Sequence, residues 1–223
     1  MGLVVGLDEV ARGCVVAGLY VAGVMVEDTP SNMETLKSLG VKDSKMLSKK
    51  KRETIFPELI KNYRYGIKCI PPNIIDQYVG KPRFNLNYLE ATRMAEIIDE
   101  LAPTKAIIDC PDIDPPRFER TIKGLLHMSC EVVAEYKADK NYPIVSAASI
   151  IAKVTRDNAI EELRKVYGQF GSGYPSDPRT VAFFKDWLKN KAGDRPSWTR
   201  RKWSSWEKWE TGEQDLLFPV SVV

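Results

Sequence analysis

The chain has 223 residues, 43% of them hydrophobic, which suits one sizeable α/β core with a small appendage better than two full domains. Lysine and arginine number 33 against 30 acids, a net charge of +3 that permits nucleic-acid binding without demanding it. A single histidine, His127, argues against a Ser/His/Asp triad or a multi-histidine metal site, and Cys14, Cys69, Cys110 and Cys130 lack the spacing of a zinc site or a disulfide framework. Chemistry must then come from carboxylates, lysines or hydroxyls.

In chain order, residues 3–7 and 15–26 read as buried β-branched strands, with a third strand at 63–70. Between them, 33–39 and 48–61 read as helices, Ser48 serving as N-cap. Residues 85–101 form the clearest amphipathic helix, because Leu86, Leu89, Met94, Ile97, Ile98 and Leu101 recur near a 3.6-residue period. A short strand at 105–109 ends in an acid, Pro115-Pro116 opens a helix, and 129–136 is a further strand. A long helix is expected from about 144 to 166. Its polar exceptions, Ser146, Ser149, Lys153 and Asp157, form one stripe that must face something polar; Asp157 reads first as a partner for a nearby base.

This order predicts a mixed sheet with helices on both faces. A composition shift past 171–178 marks a small helical C-terminal part, giving expected divisions of 1–177 and 178–223. The apolar stretches at 15–26 and 144–154 fall short of the roughly 20 residues that span a bilayer. The first residues lack signal-peptide features, so a cytoplasmic protein is expected.

Asp8 and Glu9 close the first strand, Asp109 closes the fourth and Asp139 follows the fifth. Strand ends of an α/β sheet line the crevice where ligands bind. Carboxylates gathered there repel unless a cation sits among them, and oxygen-only ligands suit Mg²⁺ or Mn²⁺. That pattern predicts two-metal hydrolysis. Adjacent strand residues point to opposite faces, so Asp8 and Glu9 share a site only if the strand twists or ends between them.

Gly6-Leu7-Asp8-Glu9-Val10-Ala11-Arg12-Gly13 resembles the Gly-x-Asp-Glu-Ala-Gly-Arg-Gly opening of the ribonuclease HII (type 2 ribonuclease H) family. Asp43-Ser44-Lys45-Met46-Leu47 is similar to its Asp-Ser-Lys-x-Leu signature, and Asp109 with Pro111-Asp112 to its central acidic strand end. Lys137-Ala138-Asp139 resembles the segment that carries its fourth acid, and the stretch from Ser146 to Val154 resembles the helix after that acid. Gly171-Ser172-Gly173-Tyr174-Pro175-Ser176-Asp177-Pro178 resembles the archaeal form of the tyrosine-containing loop.

The resemblance implies a ribonuclease H-like fold with a mixed five-stranded sheet. It implies Asp8, Glu9, Asp109 and Asp139 as the metal-binding and catalytic set with Mn²⁺ or Mg²⁺. It implies cutting of the RNA strand of RNA/DNA hybrids and at ribonucleotides embedded in duplex DNA, leaving 5′-phosphate and 3′-hydroxyl ends, with a role in ribonucleotide or primer removal. Only the 2′-hydroxyl marks a ribonucleotide at a single position. In the family, backbone groups of the Gly-Arg-Gly segment read it and the loop tyrosine stacks on the adjoining deoxyribose; Ala11, Arg12, Gly13 and Tyr174 are the matching positions. Ala11 departs from the family's glycine, at a cost on the order of 1 kcal/mol if its φ is positive, and its methyl bears on the stringency for an RNA–DNA junction.

Lys45 and Lys153 either neutralise substrate phosphates or hold the acids, and Ser146 and Ser149 either contact phosphate or back-bond to their helix. Trp198, Trp203, Trp206 and Trp209 lie among Arg195, Arg200, Arg201, Lys202 and Lys208. The tryptophans are expected to pack and some of the bases to touch the duplex. Gln214-Asp215-Leu216-Leu217 resembles the start of a sliding-clamp-binding peptide without its aromatic pair. A monomer without membrane contact is expected.

Overall fold

The structure, a computed structural model, describes residues 2–41, 47–82, 85–191 and 193–211. Its frame is a five-stranded sheet built from β1 (Leu3–Val10), β2 (Leu19–Glu27), β3 (Arg64–Ile70), β4 (Lys105–Asp109) and β5 (Glu131–Glu135), in the spatial order β3-β2-β1-β4-β5. β1, β2 and β3 pair antiparallel, whereas β4 and β5 run parallel to β1. The sheet is therefore mixed, as expected.

Strand alternation divides β1 between two cores. Val5 and Leu7 join Met94, Ile97 and Ile98 of α4 (Leu86–Leu101) and Phe118 and Ile122 of α5 (Pro115–Lys123) on one face. Val4 joins Leu36 of α1 (Pro30–Ser38), Leu59 of α2 (Lys49–Asn62) and the apolar first half of α7 (Pro143–Tyr167) on the other. At Gly6 an added Cβ would lie 2.6 Å from the backbone of Ile144 and Val145, so only glycine lets α7 approach the sheet this closely.

Local chemistry sets the helix boundaries. Ser48 caps α2 by accepting from the Lys51 amide at 3.2 Å, and Asn85 caps α4 by accepting from Tyr88. α4 stops where Ala102 turns left-handed (φ 53°). A short α3 (Pro72–Tyr78), opened by Pro72, falls where no helix was expected.

Two strand boundaries differ from expectation. β1 continues to Val10 because its pairing with β2 persists through Val10 opposite Tyr20, so Asp8 and Glu9 lie within the strand, one residue short of its end. β2 begins at Leu19, because Ala17 is left-handed (φ 62°) and breaks the run. Val15 and Val16 are buried against C-terminal residues instead, with Val16 bridged to Thr199. A β-branched run signals burial, and here the burial comes from packing outside the sheet.

The C-terminal part comprises α8 (Pro178–Asn190) and α9 (Ser205–Thr211). Phe184 packs against both Trp206 and Trp209, parallel to Trp209 at 5.6 Å, and Trp198 stacks on Tyr167 at 4.6 Å. Phe184, Trp198, Trp206 and Trp209 share one cluster with Ala11, Cys14, Val15 and Val16. Among the described residues no helix is long and apolar enough to cross a membrane.

Candidate active site

The strand register assembles the acids. Leu7 lies beside Ile108 in the parallel β1·β4 pair, so Asp8 and Asp109 follow side by side. Asp139 enters from the single-turn α6 (Ala138–Asn141), which turns back after β5 through left-handed Lys137 (φ 57°). The Ala138 amide donates to Asp109 Oδ1 at 3.0 Å and ties this turn to the end of β4. Asp8, Asp109 and Asp139 each offer a carboxylate oxygen, all within 4.8 Å of one another. Asp8 and Asp139 are 3% and 1% exposed, and Asp109 is half-buried.

Glu9 obeys the alternation and turns to the α4 side. There the carboxylates of Glu90 and Asp109 bear on it and the Arg12 guanidinium offsets them in part. Burial first, then the facing acids, push Glu9 up to about 8. Its Oε2 is buried with no hydrogen-bond partner among the described residues. Asp8 is pushed well above the usual carboxylate range by burial, Glu9 and Asp109, against a hydrogen bond from Ser149 that favours its ionised form. The Glu9 amide also donates to Asp8 Oδ1 at 2.8 Å. Hard oxygen donors, buried and mutually repelling, suit a divalent cation of the Mg²⁺ or Mn²⁺ kind.

The Ala11-Arg12-Gly13 turn leaves β1 next to this cluster. Ala11 is left-handed (φ 71°), 3% exposed, and its methyl packs into the C-terminal aromatic cluster. Arg12 lays its guanidinium on Glu90, which is fully buried, and on Asn87. A Cβ at exposed Gly13 would lie 4.0 Å from Tyr174 Cε1, so the tyrosine stands over this turn. Gly173 locks the two loops together: its carbonyl accepts from the Val15 amide at 2.8 Å, and a Cβ there would meet Val16 at 2.9 Å.

Arg156 of α7, 7% exposed, braces the same junction. It donates to the Ser172 carbonyl at 2.7 Å, lies 3.1 Å from Cys14 Sγ, and sits over the Tyr174 ring at 5.2 Å.

The polar stripe of α7 divides. Ser149 reaches Asp8, and Lys153 continues the stripe half-buried. Ser146 is 1% exposed and donates to the Val41 carbonyl; it anchors α7 to that segment and is not brought to the crevice. Asp157 pairs with Arg156 at 3.1 Å and Arg52 at 3.9 Å. Lys45 with its Asp-Ser-Lys segment, and Gln214 to Leu217, lie outside the described residues. A groove of about 400 Å³ beside Arg12 is lined by Asn85, Asn87, Lys202 and Trp203, which brings the C-terminal part to the crevice edge.

Sequence reasoning missed Glu90 and Arg156, and read Arg200 only as one of the bases among the C-terminal tryptophans, some of which were expected to touch the duplex, whereas it is fully buried. Glu90 stands on the apolar stripe of α4, four residues before Met94, and an acid at such a position is itself a signal. Arg156 falls three residues after Lys153 on the polar stripe of α7. Arg200 carried no signal beyond its basic neighbours.

Residues 5–205 match the model of the family described as Ribonuclease HII. Ribonuclease HII of Pyrococcus horikoshii is 45% identical over 210 residues, covering 93% of this chain and 92% of the relative. That of Archaeoglobus fulgidus is 42% identical over 200 residues, covering 90% and 93%. The crystal structure of ribonuclease H2 from Pyrococcus horikoshii OT3 superposes with a TM-score of 0.85 at 41% identity, over 94% of this chain and 98% of that one. The structure of a PCNA:RNase HII complex from Archaeoglobus fulgidus gives 0.80 at 41% identity, over 90% and 95%. Bst-RNase HIII in complex with Mn²⁺ shares the fold, with a TM-score of 0.77 at 20% identity over 94% and 69%.

Proposed function

The chain belongs to the ribonuclease HII family and is a divalent-metal-dependent endonuclease of the RNA strand in RNA/DNA hybrids, and from that premise we propose that Asp8, Glu9, Asp109 and Asp139 are its catalytic acid set. The observation that carries this reading is the convergence of Asp8, Asp109 and Asp139 within 4.8 Å in a buried crevice. These three hold the cation. Glu9 faces the same strand end from the α4 side.

Bound there, Mn²⁺ or Mg²⁺ supplies activation of water and charge relief at the scissile phosphate. The chain's own residues do the rest. Ser149 orients Asp8, and the Ala138 amide orients Asp109. The Arg12 and Gly13 backbone reads the 2′-hydroxyl, so that one ribonucleotide in a DNA duplex suffices. Tyr174 stacks on the adjoining sugar, and Lys153 bears on the phosphates. The products carry 5′-phosphate and 3′-hydroxyl ends, which fits removal of ribonucleotides and primers. The relative from Archaeoglobus fulgidus was solved in a complex with PCNA, which supports a sliding-clamp contact through residues 214–217 of this chain.

The test is a DNA duplex carrying one ribonucleotide, incubated with Mn²⁺ or Mg²⁺ and then with EDTA, beside all-DNA and RNA/DNA controls. Metal-dependent cutting at the ribonucleotide, lost in Asp109→Asn, is expected. Cutting of the long hybrid alone would overturn the single-ribonucleotide reading, and binding without any cutting would leave a hybrid-binding module.

A further inference from the structure

Arg200 is a fully buried arginine with no carboxylate within ion-pair distance among the described residues. Burial pushes its guanidinium down to about 10, so the environment does not favour the charge by itself. The group instead donates to the carbonyls of Ala11 at 2.6 Å, Arg12 at 2.6 Å, Gly18 at 3.1 Å and Ala17 at 3.3 Å. It also lies over the Trp203 ring at 4.9 Å. The main chain around it is tied to the same loop: the Arg200 amide donates to Val15 at 2.8 Å, and the Ala17 amide to Trp198 at 3.0 Å.

A peptide unit is planar and, in the trans form, its N–H points away from its C=O. The protein has no cis peptide bonds among the described residues. Drawing the carbonyls of Ala11 and Arg12 inward therefore turns the amides of Arg12 and Gly13 outward. Among the described residues neither amide is taken up by another protein group. Left-handed Ala11 sets the bend, but its methyl is locked in the aromatic cluster and supplies no donor.

We propose that Arg200 is a positioning residue for ribonucleotide recognition, aiming the Arg12 and Gly13 amides at the 2′-hydroxyl by holding the carbonyls behind them. This rests on the reading that those amides read that hydroxyl. Arg200 has no exposed surface and its hydrogen bonds go to backbone carbonyls, not to the acids, so it acts on discrimination rather than on hydrolysis.

The test compares affinities for two duplexes of one sequence, with and without a single ribonucleotide, in the full chain carrying Asp109→Asn so that nothing is cut. Arg200→Lys keeps the charge but not the planar fork. It is expected to lower the preference for the ribonucleotide duplex about tenfold, the worth of one well-made hydrogen bond, while affinity for the all-DNA duplex holds. An unchanged preference, or an equal fall in both affinities, would overturn the proposal and leave Arg200 a structural staple. In the protein with its arginine intact, the amide resonances of Arg12 and Gly13 should move with the ribonucleotide duplex and not with all-DNA. Their failure to move would mean that those amides do not read the hydroxyl, and the recognition reading would fail and take the proposal with it. If the parent protein shows no preference between the duplexes, the underlying recognition reading fails instead.

Discussion

The Arg12 guanidinium rests on Glu90, a carboxylate with no exposed surface, so the turn that follows β1 is tied to α4 by a charge pair of which one half is out of water. Removing the arginine strands a buried acid. Arg12→Met should cost about 2 kcal/mol at pH 8, discounted because Arg12 itself is about a third exposed. In a Glu90→Gln background the same change should cost at least about 1 kcal/mol less. Glu90 already stands at about 7, and losing Arg12 moves it higher, so the penalty should shrink at pH 6, where the acid takes a proton. Denaturant unfolding of the four proteins at both pH values measures this, and equal costs in both backgrounds would dissolve the coupling.

The acid cluster makes the metal-free protein a poor holder of its own charge. Glu9 is raised from 4.5 to about 8, and Asp8 is raised in the same direction by burial and its neighbours. A carboxylate with a higher pKa folded than unfolded binds its proton more tightly in the native state. Its stabilising contribution is complete below the unfolded value and is lost as pH rises through the folded one. In EDTA, thermal stability should therefore decline between about pH 5 and pH 8 and recover on adding Mn²⁺. Asp109→Asn should flatten this decline and raise Tm at pH 8 by roughly 2–4 °C while abolishing cutting. A metal-free Tm that climbs over this interval would contradict the raised acids.

Tyr174 stands over Gly13 on one side and is backed by Arg156 on the other, a ring held in place before substrate arrives. A pre-placed ring should lose little with Tyr174→Phe. Tyr174→Ala should lower kcat/KM on the single-ribonucleotide duplex about tenfold, in the range of one stacking contact. Steady-state kinetics on all three proteins decides it, and a Phe variant as impaired as Ala would shift the role from the ring to the hydroxyl.

At Ala11 two effects oppose each other. A left-handed alanine is strained by about 1 kcal/mol relative to glycine, whereas its buried methyl contributes about 0.8 kcal/mol. Ala11→Gly should then change stability by less than about 0.5 kcal/mol, and junction preference should not move, because the methyl points into the protein. Thermal unfolding with product mapping on a junction substrate checks both; a sharpened junction preference would mean that the methyl meets substrate after all.

The convergence of Asp8, Asp109 and Asp139 was legible because the chemistry of a strand end is local: each side chain lies within a few residues of a recognisable β-branched run. Strand geometry alone set the condition that adjacent Asp8 and Glu9 share a site only if the strand twists or ends between them; in the structure Ser149 bears on the first and the Arg12 and Glu90 side chains on the second. What stayed hidden was what one segment does for a distant one. Arg200 joins the loop after β1 across more than 180 positions, with no periodicity to betray it. Val15 and Val16 were misplaced into a strand for the same reason, since their partners come from the C-terminal part. Ser146 shared its stripe with Ser149 yet meets Val41, because a helix stripe is wide enough to face two neighbours.

Gly6 has a metrical consequence. From Gly6 to Asp8 the strand advances two residues, roughly 6.6 Å. From Val145 to Ser149 the helix advances four residues, about 6 Å. Because α7 touches β1 at Gly6 with no side chain between, the two rulers start from a common zero, and their next graduations fall together at Ser149 and Asp8. The absence of a single carbon at position 6 thus calibrates a hydrogen bond one helical turn away, and with it the aim of the Asp8 carboxylate toward Asp109 and Asp139.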